Sequence, residues 1–175
     1  MNAKSLLIPI ILLATARVAF AGDVWLEGGK TSASTGSNST TSVAIGFKGD
    51  KNWGFKVGML TDKEFSQDYQ DYPVPHSSYR DLGVKRTGNT FGFDVDYYFS
   101  SEEGIRPYIG LGMYFGDQKH IAQSTATGWY YNQGDATSIK ASGEVGFQYK
   151  NASGFIWGVG YHSIRGNYLA LGKQF

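Results

Sequence analysis

Residues 90–99 read TFGFDVDYYF, and this stretch decides the fold. Phe91, Phe93, Val95, Tyr97 and Phe99 alternate with Thr90, Gly92, Asp94, Asp96 and Tyr98. A β-strand turns successive side chains to opposite faces, so the stretch predicts a strand with one aromatic face and one face of glycine, carboxylate and hydroxyl groups. The same period runs outward in both directions. In 53–60, Trp53, Phe55, Val57 and Met59 oppose Gly54, Lys56 and Gly58. In 108–116, Ile109, Leu111, Met113 and Phe115 oppose Tyr108, Gly110, Gly112, Tyr114 and Gly116. Residues 139–149 and 155–162 repeat it, and weaker versions cover 23–30, 41–47 and 167–175. The reading is all-β, with eight strands.

The connectors alternate in length. Short turns of Gly, Asp, Asn and Ser fall at 48–52, 100–104 and 150–154, and another short link at 163–166. Long polar stretches fall at 31–40, 61–86 and 117–137. This is the pattern of an eight-stranded antiparallel up-and-down barrel with both ends on the short-turn side.

Volume then decides which face is outside. An eight-stranded barrel has an interior just wide enough for side chains to fill, or for one small ligand. The aromatic face would overfill it, whereas the Gly, Ser and Thr face fits. The apolar face therefore points outward. In water such a belt would invite aggregation; in a bilayer a closed barrel satisfies every backbone group and requires it. The expected fold is a transmembrane β-barrel over 22–175. Trp53, Phe99, Tyr149, Phe155, Trp157, Tyr161 and Phe175 are its expected lipid-interface aromatics. Tyr114 and the run Trp129-Tyr130-Tyr131 read as part of the girdle on the long-loop side.

Composition agrees. The 175 residues hold 24 Gly, roughly twice ordinary usage, with 12 Tyr, 11 Phe, 4 Trp and no Cys. The lack of cysteine excludes a disulfide scaffold and a cysteine-based zinc site. A net charge of +1 gives no electrostatic footprint for nucleic acid. Mean hydropathy of −0.29 argues against a helical membrane protein. Residues 1–21 read as a cleaved signal peptide: Lys4 in the n-region, an apolar run from Leu6 to Ala14, and the cleavage pattern Ala19-Phe20-Ala21.

Three pieces of sequence resemble the small outer-membrane β-barrels of Gram-negative bacteria, the OmpA/OmpX-like group. They are RPYIGLG at 106–112, GVGYHSIRG at 158–166, and the terminal Phe175 with Leu169 and Leu171 on its face. Lys173 interrupts the alternation near that end. The resemblance implies the bacterial outer membrane as location, with its lipids and lipopolysaccharide as surroundings. It also implies recognition of Phe175 by the barrel assembly machinery. It specifies a fold rather than an activity.

Three functions follow, in order of preference. The first is a non-catalytic structural or surface-interaction barrel that meets an extracellular ligand through its loops. Tyr69, Tyr72 and Tyr79, beside Pro73 and Pro75, are the candidate contacts. The second is a narrow, porin-like pathway for small solutes. Against it stand the luminal charges Lys56, Asp94, Asp96, Arg106, Lys140 and Glu144, which burial obliges to pair into a plug. The third is a lipid A deacylase of the PagL type, with His162 and Ser163 as candidate catalytic residues. The two are adjacent, however, and neighbours on a strand face opposite ways; the period puts His162 in the lumen. His76 and His120 read as solvated loop residues without metal-ligand company. No cofactor and no metal is expected.

Overall fold

The computed structural model describes residues 22–31, 40–61, 63–75, 78–100 and 102–175. The signal peptide expected over 1–21, most of the loop 31–40, and His76 lie outside them. Nine strands are present among the described residues: β1 (Asp23–Thr31), β2 (Thr40–Lys48), β3 (Trp53–Thr61), β4 (Tyr69–Gln70), β5 (Tyr79–Tyr98), β6 (Gly104–Ser124), β7 (Tyr130–Lys150), β8 (Phe155–His162) and β9 (Gly166–Gln174). All but β4 form the barrel wall. Each pairs antiparallel with its neighbours, β1 with β9, and the β7–β8 pairing closes the ring. Gly22 and Phe175 exchange backbone hydrogen bonds of 3.0 and 3.2 Å, tying the two ends together.

The alternation seen in the sequence becomes an alternation of burial. Along β3, Trp53, Phe55 and Val57 are exposed and Gly54, Lys56 and Gly58 are buried. Along β5, Phe91, Phe93, Val95 and Tyr97 face out and Gly92, Asp94, Asp96 and Tyr98 face in. The outer wall is thus an apolar belt; Leu111, at 74% exposed, shows how completely it is turned away from the interior. Aromatic pairs stud its short-turn end: Trp53 against Tyr97 at 5.0 Å, Tyr97 against Phe99 at 5.6 Å, Tyr149 against Trp157 at 5.7 Å. Phe155, Tyr161 and Phe175 also stand exposed.

Glycine on the inner face makes room for rings. A Cβ at Gly46 would run into the Trp25 indole, and one at Gly92 into the Tyr114 ring. Trp25, Tyr98, Tyr108 and Tyr168 cluster inside the barrel. Tyr114 is wholly buried, so it belongs to the interior and not to the girdle expected from its place near the long loops.

Two of the long connectors are not loops throughout. β5 begins at Tyr79, and the β6–β7 hairpin continues to Gln123 opposite Tyr130. β3 ends at Thr61 and β8 at His162. The upper halves of β5, β6 and β7 therefore rise beyond the wall as a free-standing three-stranded sheet, and β4 adds parallel to β7 at Tyr130 and Tyr131. From Gly116 to Ser124 the rise is about 26 Å at about 3.3 Å per residue. This places Trp129-Tyr130-Tyr131 at the far end of the raised sheet, away from the apolar wall. Here residues such as Asp117, Gln118, Lys119 and His120 carry no period-two signature.

Candidate functional site

The lumen is filled by buried polar and charged side chains that pair with one another. Lys56, from β3, reaches three carboxylates: Glu27 at 3.3 Å, Asp96 at 3.0 Å, and Glu144 in a closer hydrogen-bonded pair. Its ammonium also lies 4.9 Å from the Tyr108 ring centre. Tyr168 donates to Glu144, and the Tyr108 and Tyr168 hydroxyls are hydrogen-bonded to each other. Trp25 Nε1 donates to Glu27 Oε1 at 3.0 Å. Charges taken out of water must be paired in this way, because an uncompensated buried charge is strongly destabilising.

The loop-side end is closed by a residue from a turn. Arg165 lies in the link between β8 and β9, yet it is wholly buried. Its guanidinium pairs with Glu27 Oε2 at 2.7 Å and Glu144 Oε2 at 3.4 Å, and lies 3.9 Å from Asp94 Oδ2. His162 holds the turn: its Nδ1 accepts the backbone N–H groups of Ile164 at 3.1 Å and Arg165 at 2.9 Å. With Nδ1 accepting, Nε2 carries the proton and donates to Asp94 Oδ1 at 3.0 Å. Asp94 also accepts from Tyr114 and Ser142, each at 2.8 Å. At the short-turn end Arg106 pairs with Asp23, donates to Gln148 Oε1 at 3.0 Å, and lies over Tyr98.

Of the six luminal charges expected from sequence, Lys56, Asp94, Asp96, Arg106 and Glu144 are buried in this interior. Lys140 is not: it is exposed. β7 continues past the end of β8, whose last residue His162 pairs with Glu144, so Lys140 stands above the closed ring. Asp23, Glu27 and Arg165 take part in the network without having been singled out. The inner period of β1 (Asp23, Trp25, Glu27) carried a signal for the first two. Arg165 had none, since a turn residue has no assigned face.

His162 and Ser163 do not form a nucleophile–base pair. His162 is buried against Asp94, whereas Ser163 is exposed and its Oγ accepts the N–H of Gly143 at 3.0 Å. Asp94, Glu144 and His162 offer three ligand atoms within 4.8 Å of one another, but the Arg165 guanidinium already supplies positive charge between the two carboxylates.

The raised sheet is ordered by its own contacts. Segment 63–75 folds against β7: Phe65 meets Tyr130 at 5.1 Å and Tyr69 at 6.3 Å, and Tyr72 meets Tyr131 at 5.7 Å. Lys119 Nζ donates to Asp71 at 2.9 Å and Asp135 at 2.8 Å, and Asn132 Nδ2 donates to the same two oxygens at 2.9 Å each. The Lys119 and Asn132 hydrogen bonds hold both carboxyls below their ordinary range, and the two carboxylates hold the Lys119 ammonium above its own. His120 is not simply solvated: its Nε2 lies 2.7 Å from Asp81. Ile121 and Ala122 are fully buried in this sheet. Tyr69 is half-buried in the clasp, while Tyr72, Tyr79 and Trp129 remain exposed.

Fold and site together define a closed eight-stranded antiparallel β-barrel with an apolar outer wall, a polar filled interior and a raised sheet at one end. No protein-family model matches the chain, and neither does any curated protein sequence. Among solved structures it is similar to the N-terminal β-barrel domain of Pseudomonas aeruginosa OprF, at 18% identity and TM-score 0.49, covering 88% of this chain and 99% of that one. It is also similar to Ail, the attachment invasion locus protein of Yersinia pestis, at 13% identity and TM-score 0.49, covering 89% and 100%. Neisserial surface protein A gives 15% identity and TM-score 0.48, covering 88% and 96%. These neighbours are small outer-membrane β-barrels, and the likeness is one of fold.

Proposed function

We propose that the chain is an outer-membrane barrel, exported by the leader at 1–21, that works without catalysis and meets an extracellular partner through its raised sheet. One contrast carries this reading. The lumen is spent on its own ion pairs, whereas the sheet above the barrel is held in a fixed shape and keeps Tyr72, Tyr79 and Trp129 exposed. Rigid aromatic side chains on a preorganised surface lose little entropy on binding, which is what a recognition surface needs. The hydrogen-bonded turn at the tip agrees. Ser124 N–H donates to Trp129 O at 2.9 Å, Gly128 N–H to Ser124 O at 2.9 Å, and Gln123 Nε2 to Gly128 O at 3.0 Å. The filled interior counts against the narrow pore, and the separation of Ser163 from His162 against the deacylase.

The test is a deletion of 63–75 that leaves the barrel folded. Cells displaying the protein are measured for retention on a panel of immobilised extracellular glycoproteins. Retention by the intact protein that falls to background in the deletion is the expected result. Retention unchanged by the deletion contradicts the role given to the clasp.

A further inference from the structure

The short-turn end of the lumen, opposite the raised sheet, buries three cations: Lys48, Arg106 and Lys150. Arg106 pairs with Asp23 Oδ2, and Lys150 Nζ lies 3.9 Å from Asp23 Oδ1. Lys48 Nζ donates to the Gly49 carbonyl at 3.1 Å and forms no ion pair among the described residues. One buried carboxylate thus serves two of these cations, and Asp50, the other carboxylate that acts on Lys48, is exposed in the turn after β2. Four buried polar atoms of the same cluster have no hydrogen-bond partner among the described residues: Tyr98 Oη, Arg106 Nε, Gln148 Nε2 and Asp23 Oδ1. Their side chains adjoin. Arg106 donates to Gln148 Oε1 at 3.0 Å, and the Arg106 guanidinium and Lys48 ammonium lie 5.7 and 5.8 Å from the centre of the Tyr98 ring. Buried polar atoms are satisfied by protein, water or an ion, and water supplies no charge to balance a buried cation. Three donors and one carboxylate acceptor beside an unpaired ammonium match one ligand chemistry. It is an anion with several accepting oxygens and one hydroxyl to donate. Hydrogenphosphate has both. Sulfate and a phosphate monoester dianion have no such proton, and each would set a lone pair against Asp23 Oδ1.

We infer that the short-turn end of the lumen binds one free hydrogenphosphate ion. Its hydroxyl donates to Asp23 Oδ1, its oxygens accept from Tyr98, Arg106 and Gln148, and Lys48 supplies balancing charge. The site draws on β1, β2, β5, β6 and β7, and lies at the other end of the barrel from the surface proposed to meet a partner.

The experiment is calorimetric titration of the full chain, folded in a maltoside detergent at pH 8, with inorganic phosphate as probe and sulfate and methyl phosphate as controls. The expected result is one phosphate bound per chain, with sulfate and methyl phosphate each about tenfold weaker or more, since each leaves Asp23 Oδ1 without its hydrogen bond. Tyr98→Phe, which removes a single hydroxyl, should weaken phosphate about tenfold, as the loss of one hydrogen bond to a charged group implies. Lys48→Met should weaken it as well and flatten its dependence on salt. No binding of phosphate to the folded protein overturns the site and leaves water as the partner of these atoms. Sulfate bound as tightly as phosphate overturns the role given to Asp23, and methyl phosphate bound as tightly overturns the free ion in favour of an ester. Phosphate affinity unchanged in both variants puts the ion elsewhere and overturns the proposal. Comparing boiled and unboiled gel mobility checks the fold of each variant; if one fails to fold, the other decides.

Discussion

At the residue scale the most consequential side chain is Arg165. It comes from a turn, is held by the backbone contacts of His162, and neutralises Glu27 and Glu144 across the barrel. Removing one partner of a buried ion pair costs about 3–5 kcal/mol, because the other charge is left uncompensated. Arg165→Ala is therefore expected to lower the free energy of unfolding, measured by urea titration in detergent, by that amount. The loss should be smaller when Glu27→Gln is combined with it, which a double-mutant cycle measures. A purely additive pair would show that the two do not interact. The luminal positions of Asp94, Asp96, Lys56 and Glu144 were legible from period two alone. Their partners were not, because the pattern gives a face but not a register, and ion pairs form between strands far apart in the chain.

At the element scale the alternating strands were legible and the raised sheet was not. Period two appears in sequence where one face is the apolar wall and the other a crowded lumen; above the wall polar residues are mixed with the buried Ile121 and Ala122, and the signature fades. Close approach is equally specific to elements. On β2, Gly46 lies against Trp25, so Gly46→Val is expected to block barrel closure and abolish the heat-dependent gel shift. Gly28→Ala, in open space on β1, should leave it intact. The clasp of segment 63–75 on β7 has its own pH dependence. Asp71 and Asp135 have folded-state values below their ordinary 3.8. Their contribution is thus fully present above that value and is lost as the pH falls through the lower folded ones. Hydrogen exchange at Tyr69 and Gln70 should stay slow at pH 5 and quicken only in stronger acid. Exchange that quickens between pH 7 and 5 would assign the clasp to other groups.

At the scale of the whole molecule, closure makes the interior narrow and the ion pairs fill it. Reconstituted in planar bilayers, the protein is expected to give no current steps. Regular steps would mean that Arg165 and Lys56 leave their partners readily. The glycine-rich face and the aromatic face were both legible in the sequence, and so was the argument from volume that put glycine inside. The central claim is therefore an orientation: aromatic wall to lipid, polar face inward. Variants that keep one tryptophan each, reconstituted in bilayers with brominated acyl chains, test it most directly. Trp53 and Trp157, both exposed on the outer wall, should be quenched by the brominated lipid, and Trp25, buried in the lumen, should not. Trp129, on the raised sheet, should answer only to a water-soluble quencher. Quenching of Trp157 by the aqueous quencher and not by the lipid would contradict the account.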